Sequence, residues 1–469
     1  MDTAKPNHKP SGIINLRPVY AAIVVLGFTS GVIYLFNFRL VQWVPEFSNK
    51  TDIHVYVSLF VYLSVLYLAG VVLILKNIST IGRSKILLGI ILLFAIVFRL
   101  SLIQLDPAVL SKDMYRFIWD GRVQQNGINP YRYPPDSEEL KNLRDELIYP
   151  NINRKEYPTL YPAGAQIFFR ISYALVGDNV HGFKSLLVFV DILTLLVLAA
   201  ALKTYGFEAN RVILYAWNPL VIFEIAYSGH LDGITVFLVM TALLLYALQK
   251  KMPAVFMLAL SSAVKLYPAL LLAAILNRGA KVKGILLFSL TLALLYLPYL
   301  KAGSKMSGFL PIYLKNPYES FNIGLKYLIM RLFPGLNYYL LSQLFLVALG
   351  AAGLIIFFKR KPDDRVVQYA FILAGLLMIL MPASLHPWYV ILVIPFLAFY
   401  PSPAWLIFSC TVTLSYLKYV SARGIMPTWV LLAEYLPLFA LLAAGWIYKK
   451  YAWREGSLGN ILGALARRS

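Results

Sequence analysis

Apolar runs of about 17 to 22 residues recur along the whole chain, each long enough to cross a hydrocarbon core as a helix. In a bilayer every backbone N–H and C=O must be satisfied within the protein, which leaves helices or a closed barrel. A barrel would show alternating segments of about ten residues, and the sequence has none. With 59% hydrophobic and 14% charged residues, the chain reads as an all-α, polytopic membrane protein, not a soluble enzyme. The expected spans are 18–36, 54–75, 86–105, 183–202, 212–228, 231–248, 284–300, 340–358, 366–384, 387–400, 404–419 and 429–448. With broken segments counted, that is about 12–14 transmembrane helices, plus surface helices in one large loop. The first run, Pro18 to Phe36, is too long for a signal-peptide core and lacks a small-residue cleavage site behind it. The single cysteine, Cys410, excludes an intramolecular disulfide and a CxxC metal site. No long repeat, low-complexity stretch or soluble domain stands out.

A net charge of +21 could serve nucleic acid, but the charges sit in connections between spans. A solvated, positive-inside distribution accounts for them, and no nucleic-acid partner is expected. Lys76, Arg83 and Lys85; Lys203 and Arg211; Lys250 and Lys251; Arg278, Lys281 and Lys283; Lys359, Arg360, Lys361 and Arg365; and Lys449, Lys450 and Arg454 fall on one side. Lys5, Lys9 and Arg17 join them, which makes that side and both termini cytoplasmic. The apolar stretch 252–277 is basic at both flanks, so a hairpin broken at Lys265-Leu266-Tyr267-Pro268 fits better than one crossing. Tyr161 to Gly177 contains Gln166 and Arg170, and reads as a helix lying on the outer surface or dipping in and returning. The whole is one membrane domain, 1–469. Within it, 1–85 is an extra two-span segment and 86–300 a catalytic module with external loop 106–182. Residues 301–469 complete the cavity.

Against this background the polar, aromatic loop 106–160 is out of character. It carries Asp113-Met114-Tyr115-Arg116-Phe117-Ile118-Trp119-Asp120-Gly121-Arg122, then Asn129-Pro130-Tyr131, and leads into Thr159-Leu160-Tyr161-Pro162. Ionisable groups beside hydrocarbon are costly, so they count as functional candidates by default. With the topology above, this loop, Ser228-Gly229-His230-Leu231-Asp232, the tip bearing Lys265, the 301–338 loop and Leu385-His386-Pro387-Trp388-Tyr389 all reach the outer side. Five stretches converging on one face imply one extracytoplasmic cavity.

Each candidate has a functional and a plainer reading. Asp113, Arg116 and Asp120 follow at i, i+3 and i+7 on one helix face. Asp113 is either a general base at a lipid–water boundary, where partial desolvation increases basicity, or a cap carboxylate paired with Arg116. Asp120 reads first as a tether for Arg116 or Arg122. Tyr115, Trp119, Tyr131, Tyr157 and Tyr161 either belong to an interfacial aromatic belt or stack on sugar rings. Asn129-Pro130-Tyr131 is a turn, and Asp136 with Glu139 opens a short surface helix striped by Leu140, Leu143 and Leu147. Lys265, at the tip of a buried hairpin, needs an anion partner, for which a lipid phosphate is the obvious choice, unless it snorkels. His386, beside Trp388, could meet the same phosphate or assist proton transfer, or simply pack. His230 and Asp232 could form a ligand pair. No Asp-x-Asp pair stands in the loop, so a divalent metal is possible but not demanded, and no other cofactor is implied.

At these residues the chain resembles the GT-C superfamily of integral-membrane glycosyltransferases that use polyprenyl-phosphate sugars, and most of all bacterial members of its GT87 mannosyltransferase-like group. The stretches that carry the resemblance are KDMYRFIWDGRVQQNGINPY with YPTLYPAGAQ, SGHLD, AVKLYPALLL and LHPWYVILVIP, over roughly residues 86 to 450. The resemblance implies a helical fold in which the aspartate opening the large loop, here Asp113, is the catalytic base. It also implies that the lysine before the hairpin proline, here Lys265, lies near the donor phosphate. Many GT-C enzymes carry paired acids at that point, whereas this chain has Lys112-Asp113.

The expected function is an inverting glycosyltransferase, mannose favoured, moving a sugar from a polyprenyl-phosphate donor to a glycan or glycolipid hydroxyl. It would sit in a bacterial inner or plasma membrane and work on the extracytoplasmic face. Asp113 would be the base. Lys265, His386 and Arg170 would meet the donor phosphate. Tyr115, Arg116, Trp119, Asp120, Arg122, Asn129, Tyr131, Tyr161, Gln166, His230, Asp232 and Trp388 would line the substrate site. The rival is a transporter or flippase of a lipid-linked or small polar substrate, because broken helices with polar tips suit transporters too. It would show an inverted internal repeat, and the sequence shows none.

Overall fold

The computed structural model describes residues 17–39, 49–81, 84–105, 110–276, 281–308, 321–359, 365–421 and 424–465. These contain helices and connections and no strand. The principal helices are α1 (Arg17–Val32), α2 (Asn49–Lys76), α3 (Lys85–Leu102), α4 (Asp113–Gln125), α5 (Ala163–Val176), α6 (Val180–Thr204) and α7 (Asp232–Ala247). They continue as α8 (Lys251–Val264), α9 (Lys281–Tyr296), α10 (Leu325–Leu332), α11 (Tyr338–Lys359), α12 (Val366–Ile379), α13 (Pro403–Thr411) and α14 (Thr428–Leu465). Lys5, Lys9, Arg83, Arg278, Arg360, Lys361 and parts 106–109 and 309–320 of the expected loops lie outside the described residues.

Among the described residues seven helices are long and apolar enough to cross a membrane: Arg17–Phe36, Ile53–Lys76, Lys85–Leu102, Val180–Thr204, Lys281–Ser307, Tyr338–Lys359 and Thr428–Tyr448. The chain is a multi-pass helical membrane protein. Phe28, Leu93, Phe189, Leu286, Val347 and Leu436 are exposed on these helices. That is the surface lipid accepts at no cost, because its tails are as apolar as leucine.

Of the other expected spans, 231–248 and 366–384 are single, shorter apolar helices, α7 and α12, and the rest are broken. Residues 212–228 are not one helix: Ile213–Ala216 stops before Pro219, and Phe223–Tyr227 is a π turn. Pro219 has no N–H to give, and Asn218 ahead of it is extended, its side chain accepting from Leu220 N. Residues 387–400 form two 3₁₀ segments, Pro387–Leu392 and Ile394–Ala398, each with a proline at its start and almost wholly buried. Residues 404–419 divide into α13 and a 3₁₀ helix, Val412–Val420. Stretch 252–277 breaks at Lys265, whose backbone is extended, and continues as Tyr267–Leu271 and Leu272–Ile275. Val255 and Leu276 both reach Gly284 of α9, so the stretch turns back on itself.

Polar contacts lock this apolar bundle, since a buried ion is tolerated only when paired and hydrogen-bonded. Arg99 of α3 donates to Asp191 of α6 at 2.6 Å and to Ala216 O at 2.8 Å, both side chains fully buried. Tyr215 donates to the other Asp191 oxygen at 2.5 Å. The first two spans belong to the same core: from α2, Tyr67 donates to Leu214 O and Tyr56 accepts from Tyr227, and Tyr34 at the end of the first span packs on Phe98 of α3.

Candidate active site

The loop after α3 folds on a set of buried clamps, and most of its polar residues are spent there. Arg116 Nε donates to Asp120 Oδ1 at 2.9 Å, and its guanidinium also reaches Tyr157 O. Asp120 Oδ2 accepts from Gln166, which also donates to Thr159 Oγ1 and accepts from Gln124. Arg122 donates to Asp178 at 2.6 Å, Asp145 at 2.8 Å and Leu143 O at 2.8 Å. Although burial opposes it, Arg122 with the Tyr149 and Ile148 N–H groups holds the Asp145 carboxyl below the usual carboxylate range. These contacts also correct the expected helix over Asp136 to Leu147. It is a 3₁₀ turn, Glu138–Leu143, because Arg122 takes the Leu143 carbonyl and Asp145 turns back to cap Ile148 and Tyr149.

Tyr115, Trp119 and Tyr131 are buried within this structure, with Arg122 stacked over Trp119 and Tyr131 donating to Tyr161 O. Asn129 closes its turn onto Tyr131 N and donates to Tyr299 O. Two glycines set how closely the parts pack. A Cβ on Gly121 would lie 2.5 Å from Phe169 O, and one on Gly164 2.7 Å from the Ala263 carbonyl carbon. Helix α5 is thereby pressed against α4 on one side and against the end of α8, next to Lys265, on the other.

Asp113 stands apart from the clamps. It opens α4 half-buried and accepts from Asn153 Nδ2 at 2.7 Å and Tyr161 OH at 3.5 Å. Both donors are neutral, and among the described residues no ion pair engages it; Arg116, the partner expected from spacing, is turned to Asp120. Burial, with the carboxylates of Asp113, Asp120 and Asp232 nearby, holds the Tyr161 phenol well above its ordinary value, so it stays a donor. An oriented carboxylate without a fixed cation can accept a proton from an incoming hydroxyl.

Around Asp113 the described parts of the five stretches meet. Ser111 Oγ lies 3.1 Å from His230 Nε2, and His230 stacks on Trp388 at 4.0 Å. Trp388 stacks on His386 at 4.3 Å, and His386 on Phe321 at 4.7 Å. Lys265 Nζ donates to Asp232 Oδ2 at 2.6 Å and lies 5.0 Å above the Tyr389 ring, while Tyr267 donates to Asp232 Oδ1. The protein thus supplies the Lys265 counter-ion that the sequence left to a lipid phosphate: Asp232, fully buried, beside an ammonium 13% exposed. Burial, then the neighbouring His230 ring and the charges of Lys265, Arg154 and Lys418, hold the His386 imidazole well below its ordinary value. His386 is therefore a neutral ring, and the cations facing it come from three separate segments. Arg170, by contrast, is exposed on α5, its charge acting on Tyr299.

Several residues of this site were not singled out from sequence: Asn153, Arg154, Glu224, Tyr267, Phe321, Tyr389, Tyr416 and Lys418. Arg154 holds a left-handed backbone, φ 51°, which a non-glycine residue adopts only under constraint. Glu224 and Lys418 did carry a signal, each being a lone ionisable residue in an apolar run. Glu224 is fully buried, accepting from Tyr416 OH and lying 2.8 Å from His230 Nδ1.

No curated protein and no solved structure matches the chain. A family model does match, over residues 20–278, described as the MptA_B family, alpha-(1->6)-mannopyranosyltransferase, N-terminal domain. That match covers the first spans, the clamped loop with Asp113, the His230 turn and the Lys265 hairpin. The chain belongs to the MptA_B family and is a membrane-embedded mannosyltransferase of the GT-C kind.

Proposed function

We propose that this mannosyltransferase is inverting, takes its sugar from a polyprenyl-phosphate donor, and works on the extracytoplasmic face of a bacterial inner membrane, with both termini cytoplasmic. The observation that carries the reading is the pairing of an unclamped carboxylate, Asp113, with a group of cations a short way off around His386. The acceptor is a hydroxyl of a glycan or glycolipid. Asp113 takes its proton as the oxygen attacks the anomeric carbon, and the bond to the lipid phosphate breaks with its electron pair on the phosphate. That leaving group departs as an anion and needs no acid, so one base is enough. Lys265, Arg154 and Lys418 stabilise the charge that develops on it. Neutral His386 adds a hydrogen-bonding ring edge, and Tyr161 and Asn153 keep the base in line.

The family description speaks of an α-(1→6) product. An inverting displacement gives an α-mannoside only from a β-linked donor, so the reading commits to a β-mannosyl phosphate lipid. The basic connections between spans support the orientation. The rival reading as a transporter has the family match against it. The test is transfer by the purified protein in nanodiscs to a membrane glycolipid extract. Labelled polyprenyl-phosphate β-mannose, its α anomer and a nucleotide-linked mannose would be supplied in separate reactions. Transfer from the β lipid alone is expected. Transfer from the nucleotide sugar alone would overturn the donor assignment, and use of the α lipid with an α product would overturn inversion.

A further inference from the structure

A second polar chain lies behind Asp113 and touches none of the loop clamps. The Asp113 N–H donates to Ser111 Oγ at 3.3 Å, and Ser111 Oγ lies 3.1 Å from His230 Nε2. His230 Nδ1 is 2.8 Å from Glu224 Oε2, and Tyr416 OH donates to Glu224 Oε1. Neither His230 Nδ1 nor Glu224 Oε2 makes a hydrogen bond, and the 2.8 Å approach between them brings two unsatisfied buried atoms face to face. Ser111, His230, Glu224 and Tyr416 are 8%, 1%, 0% and 0% exposed and come from three separate segments. A carboxylate buried in an apolar run is costly, and an apolar residue would fill the space more cheaply.

Counting protons gives the chain a direction. Glu224 Oε2 as a carboxylate oxygen can only accept, so a neutral His230 ring carries its proton on Nδ1 and accepts the Ser111 hydroxyl proton at Nε2. The other Glu224 oxygen takes the Tyr416 proton. The chain therefore ends on a negative charge and begins at the first backbone N–H of α4. That N–H matters because the residue before it, Lys112, makes no side-chain cap. His230 joins this chain by its edge and stacks by its face on Trp388, which stacks in turn on His386 among the cations. Gly229, at φ 73° and with Met114 Sδ 2.7 Å from where a Cβ would stand, lets the His230 turn approach α4 closely.

We propose that Ser111, His230, Glu224 and Tyr416 form a positioning chain that fixes the angle at which Asp113 meets the acceptor and links it, through His230 and Trp388, to the donor-phosphate end. The proposal rests on Asp113 as base. These are positioning residues; none needs to touch substrate.

The test measures kcat and donor KM with labelled polyprenyl-phosphate mannose for Ser111→Ala, Ser111→Thr and Glu224→Gln, each also combined with Asp113→Asn. Misplacing a reacting group by about an ångström costs on the order of a hundredfold. Ser111→Ala and Glu224→Gln should therefore lower kcat about ten- to a hundredfold with donor KM within about threefold. Ser111→Thr, which keeps the hydroxyl, should recover most of the rate. In the Asp113→Asn background neither change should lower the residual rate further, because both act through Asp113. Full kcat in Ser111→Ala, or losses that multiply on top of Asp113→Asn, would overturn the chain while leaving the base in place. Normal turnover by Asp113→Asn alone would instead remove the base reading. Should Glu224→Gln fail to fold, the Ser111→Ala and Ser111→Thr pair decides alone.

Discussion

Asp113 and Arg122 stand on the same helix, about two and a half turns apart, and their surroundings are opposite. At the C-terminal end Arg122 is held by two carboxylates and a carbonyl, and Arg116, Asp120 and Gln166 are locked to one another. At the N-terminal end Asp113 meets two neutral donors and leaves part of its surface open. One short, polar, aromatic stretch thus does two jobs, and residue type alone does not separate them. A charge whose partners are all supplied by the protein builds the loop. A charge that is oriented but not neutralised is free to react.

The largest expected effect is at the open end. Asp113→Asn should lower turnover about a thousandfold, within the usual range for a general base, with melting in nanodiscs unchanged. A similar loss from Asp120→Asn without a fall in melting temperature would break the division. Next comes the clamped end. Arg122→Ala leaves Asp145, Asp178 and the Leu143 carbonyl without their donor, and should cost about 1–3 kcal/mol, discounted because both carboxylates are partly exposed. Thermal melting and folded yield report it.

The cations sharpen the comparison. Arg154→Met and Lys418→Met should each lower kcat/KM for the donor about tenfold, roughly 1.4 kcal/mol each. Their loss should leave acceptor KM alone. Asp145 gives a smaller, pH-dependent effect. Its folded-state pKa lies below the ordinary value, so the unfolded chain binds the extra proton in that interval and stability falls as pH drops through it. Melting between pH 6 and about 3 should show this slope, and Asp145→Asn should flatten it. Arg170→Ala should do least, changing donor KM by less than about twofold, because the side chain is exposed on α5 and acts on Tyr299.

The long spans could be read from sequence because each is set by local composition: a run of apolar residues long enough for a bilayer has one stable form. The broken segments were harder. Residues 212–228 and 387–400 read as apolar runs, yet Pro219, Pro387 and Pro395 break or tighten them into short turns. The open end was visible as an aspartate at the start of a polar loop, and the convergence of distant stretches followed from charge alternation. The partners were not. Lys265 finds Asp232 from 33 residues away, and Arg122 finds Asp178 from 56. Spacing along the helix offered Arg116 both Asp113 and Asp120; it takes Asp120, one turn on, and the tertiary fold adds the Tyr157 carbonyl. Glu224 was passed over because one acid does not change the hydropathy of the run around it, though its cost in such a place is a signal in itself.

The most direct test of the two-ended helix is turnover per folded molecule against melting temperature, for Asp113→Asn and Arg122→Ala side by side. The account predicts that they separate: Asp113→Asn melts as wild type and transfers almost no mannose, and Arg122→Ala melts earlier but transfers normally per folded molecule. Both variants losing stability and turnover in proportion would contradict it.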